Sequence, residues 1–133
     1  MPSIRHDLSI RASADSVWSA VRDFGAVHRR LAPGFVVDAR MEGDARIVTF
    51  ANGTVARELL VDCDEAARRL VYAIVSERVT HYNASVEVTD AGAGRSRIVW
   101  TIDFLPNEIA PYIAAQSTEG ARVMKETLER GAT

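Results

Sequence analysis

Six consecutive segments in the middle of the chain alternate apolar and polar residues, whereas a long final segment repeats its apolar residues at helical spacing. The alternating segments cover residues 35–42, 46–51, 54–62, 69–76, 82–90 and 95–105. Alternation over four or more residues is typical of a strand with one buried face. Because short turns separate these segments, including the strong hairpin signal Asn52-Gly53, they are predicted to pair in sequence as an antiparallel meander.

The first quarter of the chain adds another strand and two short helices. Alternation over residues 4–11 predicts a half-buried strand whose inward face includes His6. Helical spacing of apolar residues over residues 13–24 then predicts a helix, and residues 27–31 predict a second short helix that ends before Pro33.

The segment after Pro106 carries a broad apolar stripe at helical spacing, which predicts the longest element of the chain. Its regular part is expected to begin near Ala110, because Pro111 is tolerated only in a first turn. Gly120 lies in the helix interior, where glycine costs about 1 kcal/mol relative to alanine. Two explanations are open: close approach of the helix to the sheet, or room for a ligand.

Together these elements predict a single α+β domain over residues 1–133, with a seven-stranded curved antiparallel sheet wrapped around the long C-terminal helix and two short helices after the first strand. The sheet must bend to cover the helix. A bent sheet around a helix leaves a concave, mainly apolar space, which is typical of small-molecule sites.

Composition and charge limit the partners of the chain. Its net charge is −2 and its arginines are interleaved with acidic residues, so a basic surface for nucleic acid is not expected. Integral contact with a membrane is not expected either, because no long uncharged apolar run is present. Residues 1–7 lack the zones of a secretory signal, which predicts a cytoplasmic location. Cys63 is the only cysteine, the three histidines are far apart, and no cofactor motif is complete, so neither metal nor cofactor is expected.

Residues 14–25, with the sequence ADSVWSAVRDFG, resemble the first-helix signature of START-like helix-grip proteins, specifically the polyketide cyclase/dehydrase and lipid-transport (SRPBCC) group. Further matches follow in the same order: residues 54–60, the Asp64-Glu65 turn, residues 70–72, and Trp100 with Phe104 before Pro106. The order and spacing of these segments carry the resemblance over nearly the whole chain. It implies a helix-grip fold with a cavity between the sheet and the C-terminal helix.

Alternation alone does not decide which face of the strand over residues 54–62 points inward. Composition favours the face that carries Val55, Arg57, Leu59 and Val61. The resemblance favours the other face, with Ala56, Glu58, Leu60 and Asp62, because a glutamate at the matching place lines the pocket in related hormone-receptor members. An inward Glu58 can serve as a proton donor, a base or an anchor for a polar ligand group. Otherwise it is a solvated charge paired with Arg57 or Arg46.

Other candidates for the site lie at predicted inward positions of the strands and the helix. The predicted ligand-binding residues are Val48, Phe50, Glu58, Tyr72, Ile74, Tyr82, Ala84, Trp100, Phe104, Tyr112, Gln116, Gly120 and Met124. His6 joins Glu58 as a candidate catalytic residue because histidine titrates near neutrality. Gln116, on an otherwise apolar stripe, needs a hydrogen-bond partner.

Three functions are compatible with these features. The first is a carrier or sequestering protein, monomeric or homodimeric, for a small hydrophobic or lipid-like ligand. The second is a polyketide cyclase/dehydratase-type enzyme that uses acid/base groups in the same cavity. The third is a protein-interaction domain whose cavity is filled by its own side chains. The carrier function is favoured, because the residues indicate a cavity more clearly than a reacting pair.

Overall fold

Seven antiparallel strands form one sheet in the computed structural model, which describes residues 2–131. The strands are β1 (Ser3–Ile10), β2 (Val36–Glu42), β3 (Ala45–Phe50), β4 (Val55–Asp64), β5 (Arg69–Ile74), β6 (His81–Gly92) and β7 (Arg95–Leu105). Their order is β1-β7-β6-β5-β4-β3-β2, so β2 to β7 form the predicted meander and β1 pairs with β7. The predicted domain also includes residues 1, 132 and 133, which lie outside the described residues.

Two α-helices and three short helical turns complete the described part of the chain. They are α1 (Ala14–Arg22), a 3₁₀ turn (Phe24–Ala26), a π-helical turn (Val27–Leu31), a second 3₁₀ turn (Asn107–Ile109) and α2 (Ala110–Arg130). The expected α+β helix-grip arrangement is confirmed, and α2 begins at Ala110 as predicted, with Pro111 in its first turn. Within residues 2–131, none of the helices combines the length and hydrophobicity that a membrane-spanning helix requires.

A bulge in β4 decides which of its side chains point inward. Ala56, Glu58 and Leu60 face the interior, as the resemblance implies. The register against β5 shifts between Leu60 and Asp62, so Asp62 is exposed and Cys63 packs against the core instead. The expected inward position of Asp62 is therefore wrong, because an extra residue in a bulge reverses the alternation beyond it.

The first-helix signature and the Asp64-Glu65 turn, which both carry the family resemblance, meet in space. Arg22 Nε donates to Glu65 Oε1 at 2.7 Å, and Trp18 Nε1 donates to Glu65 Oε2 at 3.2 Å. The hydrogen bonds from Arg22 and then from Trp18 hold the pKa of Glu65 below its usual value. Glu65 therefore fixes α1 to the turn between β4 and β5.

Glu129 joins the last turn of α2 to the segment that follows β1. Its carboxylate accepts hydrogen bonds from Lys125 Nζ and from the backbone N–H of Arg11, both at 2.9 Å. Lys125 also donates to the backbone carbonyl of Ser9. The bond from Lys125, followed by that from Arg11, lowers the pKa of Glu129 to about 2. The ionised carboxylate therefore ties the two ends of the fold together.

Replacement of Glu129 by glutamine is expected to lower the free energy of unfolding at pH 7 by about 1 kcal/mol, since solvent screens part of the charge interaction. The folded-state pKa lies below the ordinary value of 4.5. The carboxylate therefore stabilises the fold above that pH and loses its contribution as the pH falls towards 2. Urea unfolding from pH 7 to pH 2 tests this, with Glu126→Gln as the control. A difference between Glu129→Gln and wild type that is constant with pH would contradict the assignment.

Candidate functional site

A cavity of about 740 Å³ lies between the concave face of the sheet and α2. Its wall is formed by side chains of β3 to β7, of α2 and of the π-helical turn, and most of them are apolar. Its volume falls within the range of about 300–1,000 Å³ that is usual for small-molecule sites. The predicted space between sheet and helix is therefore present, and the interior is not filled by the protein's own side chains.

Most of the predicted ligand-binding residues line this cavity. They are Val48, Phe50, Glu58, Tyr72, Ile74, Tyr82, Trp100, Tyr112, Gln116, Gly120 and Met124. Ala84 and Phe104 do not: both are fully buried, at 0% exposure, in the packed core. Their inward direction follows from strand alternation, but alternation does not tell whether other side chains fill the space above an inward residue.

The cavity contains a buried ion pair on neighbouring strands. Arg46 of β3 and Glu58 of β4 are opposite each other in the sheet, and Arg46 Nε donates to Glu58 Oε1 at 2.7 Å. Arg46 Nη1 also donates to the carbonyl of Phe24 at 3.1 Å. The guanidinium carbon lies 3.9 Å from the centre of the Phe24 ring and 5.1 Å from that of Tyr72. Arg46 is thus held by several contacts, and one of them is its bond to Glu58.

Glu58 faces the cavity, as the resemblance implies. Of the alternative, which was a solvated charge paired with Arg57 or Arg46, only the pairing with Arg46 is found, because Glu58 is buried. Arg46 itself was not among the predicted site residues. It shares the strand face of Val48 and Phe50, which were predicted, so the alternation of β3 already contained the signal.

Two tyrosine hydroxyls and an indole N–H lie near the ion pair. Burial raises the pKa of both Tyr72 and Tyr82, and the negative charge of Glu58 contributes to each increase. Both hydroxyls are therefore protonated near neutral pH. Trp100 lines the cavity from β7, and its Nε1 is buried beside the Tyr72 hydroxyl.

The mouth of the cavity is the part of its wall that is most exposed. It is formed by the turn between β3 and β4, the loop after β5 and the first turns of α2, and its lining residues include Gly53, Thr54, Ser76, Arg78 and Tyr112. Tyr112 Oη accepts from Gln116 Nε2 at 3.0 Å and from Asn52 Nδ2 at 3.4 Å. Gln116 therefore finds its expected partner within α2, and the helix is bonded to the hairpin at the entrance.

His6 points inward from β1 but does not line the cavity. Its Nε2 lies 2.8 Å from Ser117 Oγ, and its ring centre lies 5.6 Å from that of Trp100. Burial lowers its pKa, so the neutral ring is favoured. Since Ser117 and Trp100 both line the cavity, His6 supports the wall from behind.

Gly120 is the point where α2 comes close to two aromatic rings. A Cβ atom added there would lie 3.0 Å from Phe35 Cε2 and 3.4 Å from the Trp100 ring. These distances support the close-approach explanation of the glycine. Gly120 also lines the cavity, so any larger side chain at this position would have to enter the space or displace Phe35.

The wider turn after α1 contributes wall residues that were not predicted. Ala32 N donates to Val27 O at 2.8 Å, a spacing of five residues that defines a π-helical turn. Val27, Leu31 and Ala32 all line the cavity. The residue pattern predicted a short helix here but not the wider turn that brings these side chains to the interior.

A curved antiparallel sheet around a long helix, with an apolar cavity between them, defines the class of helix-grip proteins. The chain belongs to the polyketide cyclase / dehydrase and lipid transport family, whose model matches residues 1–133. No curated protein sequence matched the chain significantly. Among residues 2–131, no group of three or more His, Cys, Asp or Glu side chains is placed to hold a metal ion.

Several solved structures share the fold. A protein from Thermobifida fusca, solved by NMR, is 28% identical over 98% of this chain and 95% of its own, with a TM-score of 0.78. Norcoclaurine synthase from Thalictrum flavum, in complex with dopamine and hydroxybenzaldehyde, is 21% identical over 97% of this chain and 84% of its own, with a TM-score of 0.76. The di-domain ARO/CYC protein BexL from the BE-7585A biosynthetic pathway is 18% identical over 97% of this chain but 47% of its own, with a TM-score of 0.79. The last two establish likeness of fold only.

Proposed function

We propose that this protein binds a small hydrophobic or amphipathic molecule in the cavity between the sheet and α2, as a carrier or sequestering protein. The observation that carries the proposal is the cavity of about 740 Å³ with a mainly apolar wall and a small polar cluster around Arg46 and Glu58. Apolar burial supplies affinity at roughly 25 cal/mol per Å² of surface. The polar cluster orients the ligand.

The contacts of the two candidate acid/base groups argue against catalysis, so binding is the better supported function. The Glu58 carboxylate is engaged by Arg46, and His6 is bonded to Ser117 outside the cavity wall. A general base must come within hydrogen-bond distance of the proton that it removes.

The monomeric or homodimeric state, the cytoplasmic location and the absence of a cofactor stay predictions.

A tryptophan at position 56 tests the proposal by occupying the cavity. Ala56 is a small residue that lines the cavity from β4, whereas Val61, on the same strand, is 58% exposed on the opposite face. Ala56→Trp is expected to weaken binding of the neutral fluorescent probe N-phenyl-1-naphthylamine at least roughly tenfold, because the indole takes the ligand's space. Val61→Trp is expected to leave binding unchanged. Fluorescence titration gives the dissociation constants, and native mass spectrometry gives the number of bound molecules.

The two variants distinguish the cavity from surface adsorption. Equal loss of binding in both variants would point to a general effect of an added tryptophan. Unchanged binding in Ala56→Trp, with a circular dichroism spectrum like that of wild type, would exclude the cavity as the site. Absence of probe binding to the wild-type protein would overturn the proposal itself.

A further inference from the structure

Strand β2 forms one edge of the sheet and pairs with β3 alone. A two-residue turn joins the two strands, and Glu42 lies opposite Ala45 across it, so this pair closes the hairpin by hydrogen bonds. Bonded and non-bonded pairs alternate along an antiparallel ladder. Ala39 and Met41 therefore turn their backbone N–H and C=O groups away from β3, towards the free edge. Such a row of unpaired groups is a template for a further strand.

The exposed charges of β2 do not balance locally. Glu42 accepts hydrogen bonds from Arg40 at 2.7 Å and from Arg57 at 2.8 Å. One carboxylate thus serves two guanidinium groups, which leaves one positive charge in excess. Asp38, two residues before Arg40 on the same strand face, has no ion-pair partner within residues 2–131. The edge therefore carries an unpaired acid next to a surplus cation.

Two copies of β2 complement each other when they pair antiparallel about Ala39. Asp38 of each copy then lies opposite Arg40 of the other copy, and all seven residues of the strand overlap. A register centred on Arg40 instead places two arginines opposite each other and Asp38 opposite Glu42. Like charges directly opposite each other are destabilising, whereas opposite charges are stabilising. The charges therefore select the register centred on Ala39.

The same register also brings exposed apolar side chains together. Val37 is 53% exposed and Met41 is 47% exposed, although both are large and apolar. Pairing about Ala39 places Val37 of each copy opposite Met41 of the other. Both side chains lose contact with water in this arrangement, which adds a favourable apolar contribution to the ion pairs.

The opposite edge of the sheet, formed by β1, lacks these features. Its acid, Asp7, has both carboxylate oxygens bonded by Arg97 of the neighbouring strand β7. Among residues 2–131, the exposed large apolar side chains include none from β1. The observations therefore single out β2 as the edge that fits a second copy of the chain.

We propose that two copies of this protein associate through their β2 edges, antiparallel and centred on Ala39, so that the two sheets continue into each other. The contact is two-fold symmetric, because the same strand serves on both sides. The proposal concerns the outer edge of the sheet and does not depend on ligand binding in the cavity.

Charge reversal at the edge tests the proposal by sedimentation equilibrium. The wild-type mass is expected to rise from 14.6 kDa towards twice this value between about 10 µM and 1 mM protein, since an edge-to-edge strand contact is a small interface. Asp38→Arg and Arg40→Asp should each raise the dimer dissociation constant at least roughly tenfold, because two attractive contacts become repulsive. Arg95→Asp, an exposed change outside β2, makes the same change of charge and should leave the constant unchanged.

A mixture of the two weakened variants tests the register itself. In a pair formed by one Asp38→Arg chain and one Arg40→Asp chain, the two positive positions of one copy face the two negative positions of the other. An equimolar mixture is therefore expected to dimerise at concentrations at which each variant alone stays monomeric, and native mass spectrometry identifies the mixed dimer. The double variant Asp38→Arg/Arg40→Asp should also recover self-association.

Hydrogen exchange of the wild-type protein locates the contact without any substitution. The amide protons of Ala39 and Met41 are expected to exchange more slowly as the protein concentration rises, while those of β1 keep their rates. This measurement covers the case in which a charge variant does not fold, which circular dichroism shows.

Each contrary result has a distinct meaning. A wild-type protein that is monomeric at 1 mM would overturn the proposal. A dimer that withstands both charge reversals, or one whose Ala39 and Met41 amides exchange at rates independent of concentration, would exclude β2 as the contact. Failure of the two variants to associate on mixing would contradict the register centred on Ala39. None of these results bears on probe binding in the cavity, so the proposed function is tested separately.

Discussion

Replacement of Glu58 by glutamine is expected to lower the free energy of unfolding by about 3–5 kcal/mol, because it leaves the buried charge of Arg46 without its partner. The side chains of Arg46 and Glu58 are 8% and 6% exposed, so water does not replace the lost carboxylate. Glutamine keeps the size of the side chain, which confines the change to its charge. Urea unfolding followed by circular dichroism at pH 7 measures the effect.

A double variant shows whether the stability loss comes from the missing ion pair or from the single charge that is left unpaired. Arg46→Met with Glu58→Leu removes both charges and keeps apolar volume, and such replacements are often nearly neutral. We expect a loss of about 1–3 kcal/mol, because the carbonyl of Phe24 then lacks the hydrogen bond from Arg46. If the double variant is less stable than Glu58→Gln, the pair contributes net stability. That result would contradict the explanation that the unpaired charge of Arg46 causes most of the stability loss in Glu58→Gln.

Truncation of Phe104 to alanine is expected to lower the free energy of unfolding by about 3–5 kcal/mol, as a large void forms where no space existed. Phe104 is completely buried and does not line the cavity. Phe50 provides the matched control, because it lines the cavity and is only partly buried. Phe50→Ala is expected to cost about 1 kcal/mol, since one side of its ring already faces open space.

Probe binding should follow the opposite order in these two variants. Phe50→Ala removes part of the cavity wall and is expected to weaken binding of N-phenyl-1-naphthylamine several-fold, because the probe then buries less of its apolar surface against the protein. Phe104→Ala should retain binding at temperatures well below its unfolding midpoint. A large stability loss in Phe50→Ala together with a small one in Phe104→Ala would contradict the observed division between core and cavity wall.

The order and type of the elements could be predicted from local features of the chain. Alternation places side chains on one face of a strand regardless of its neighbours, and the hairpin signal at Asn52-Gly53 separates β3 from β4. Pro111 limits where α2 can begin, because its ring removes a backbone donor. These are short-range effects, so the residues concerned are close together in the chain.

The sequence predicts which side chains of the candidate site point towards the interior, but not which of them border the cavity. Alternation and the helical stripe placed Val48, Tyr72 and Met124 at the cavity, where the structure finds them. The same reasoning did not separate Ala84 and Phe104 from the wall. Their surroundings depend on how neighbouring elements pack above the sheet, and this is a property of the assembled fold.

Local periodicity by itself determined the strands, the helices and the faces that they turn towards the interior. Tertiary structure alone decided that Arg46 meets Glu58, that a bulge after Leu60 turns Asp62 outward, and that Phe104 packs in the core and not in the cavity wall. The physical reason is the distance along the chain over which each effect acts. Backbone geometry fixes side-chain direction within a few residues, whereas strand register, bulges and the path of α2 across the sheet depend on contacts between residues far apart in the chain.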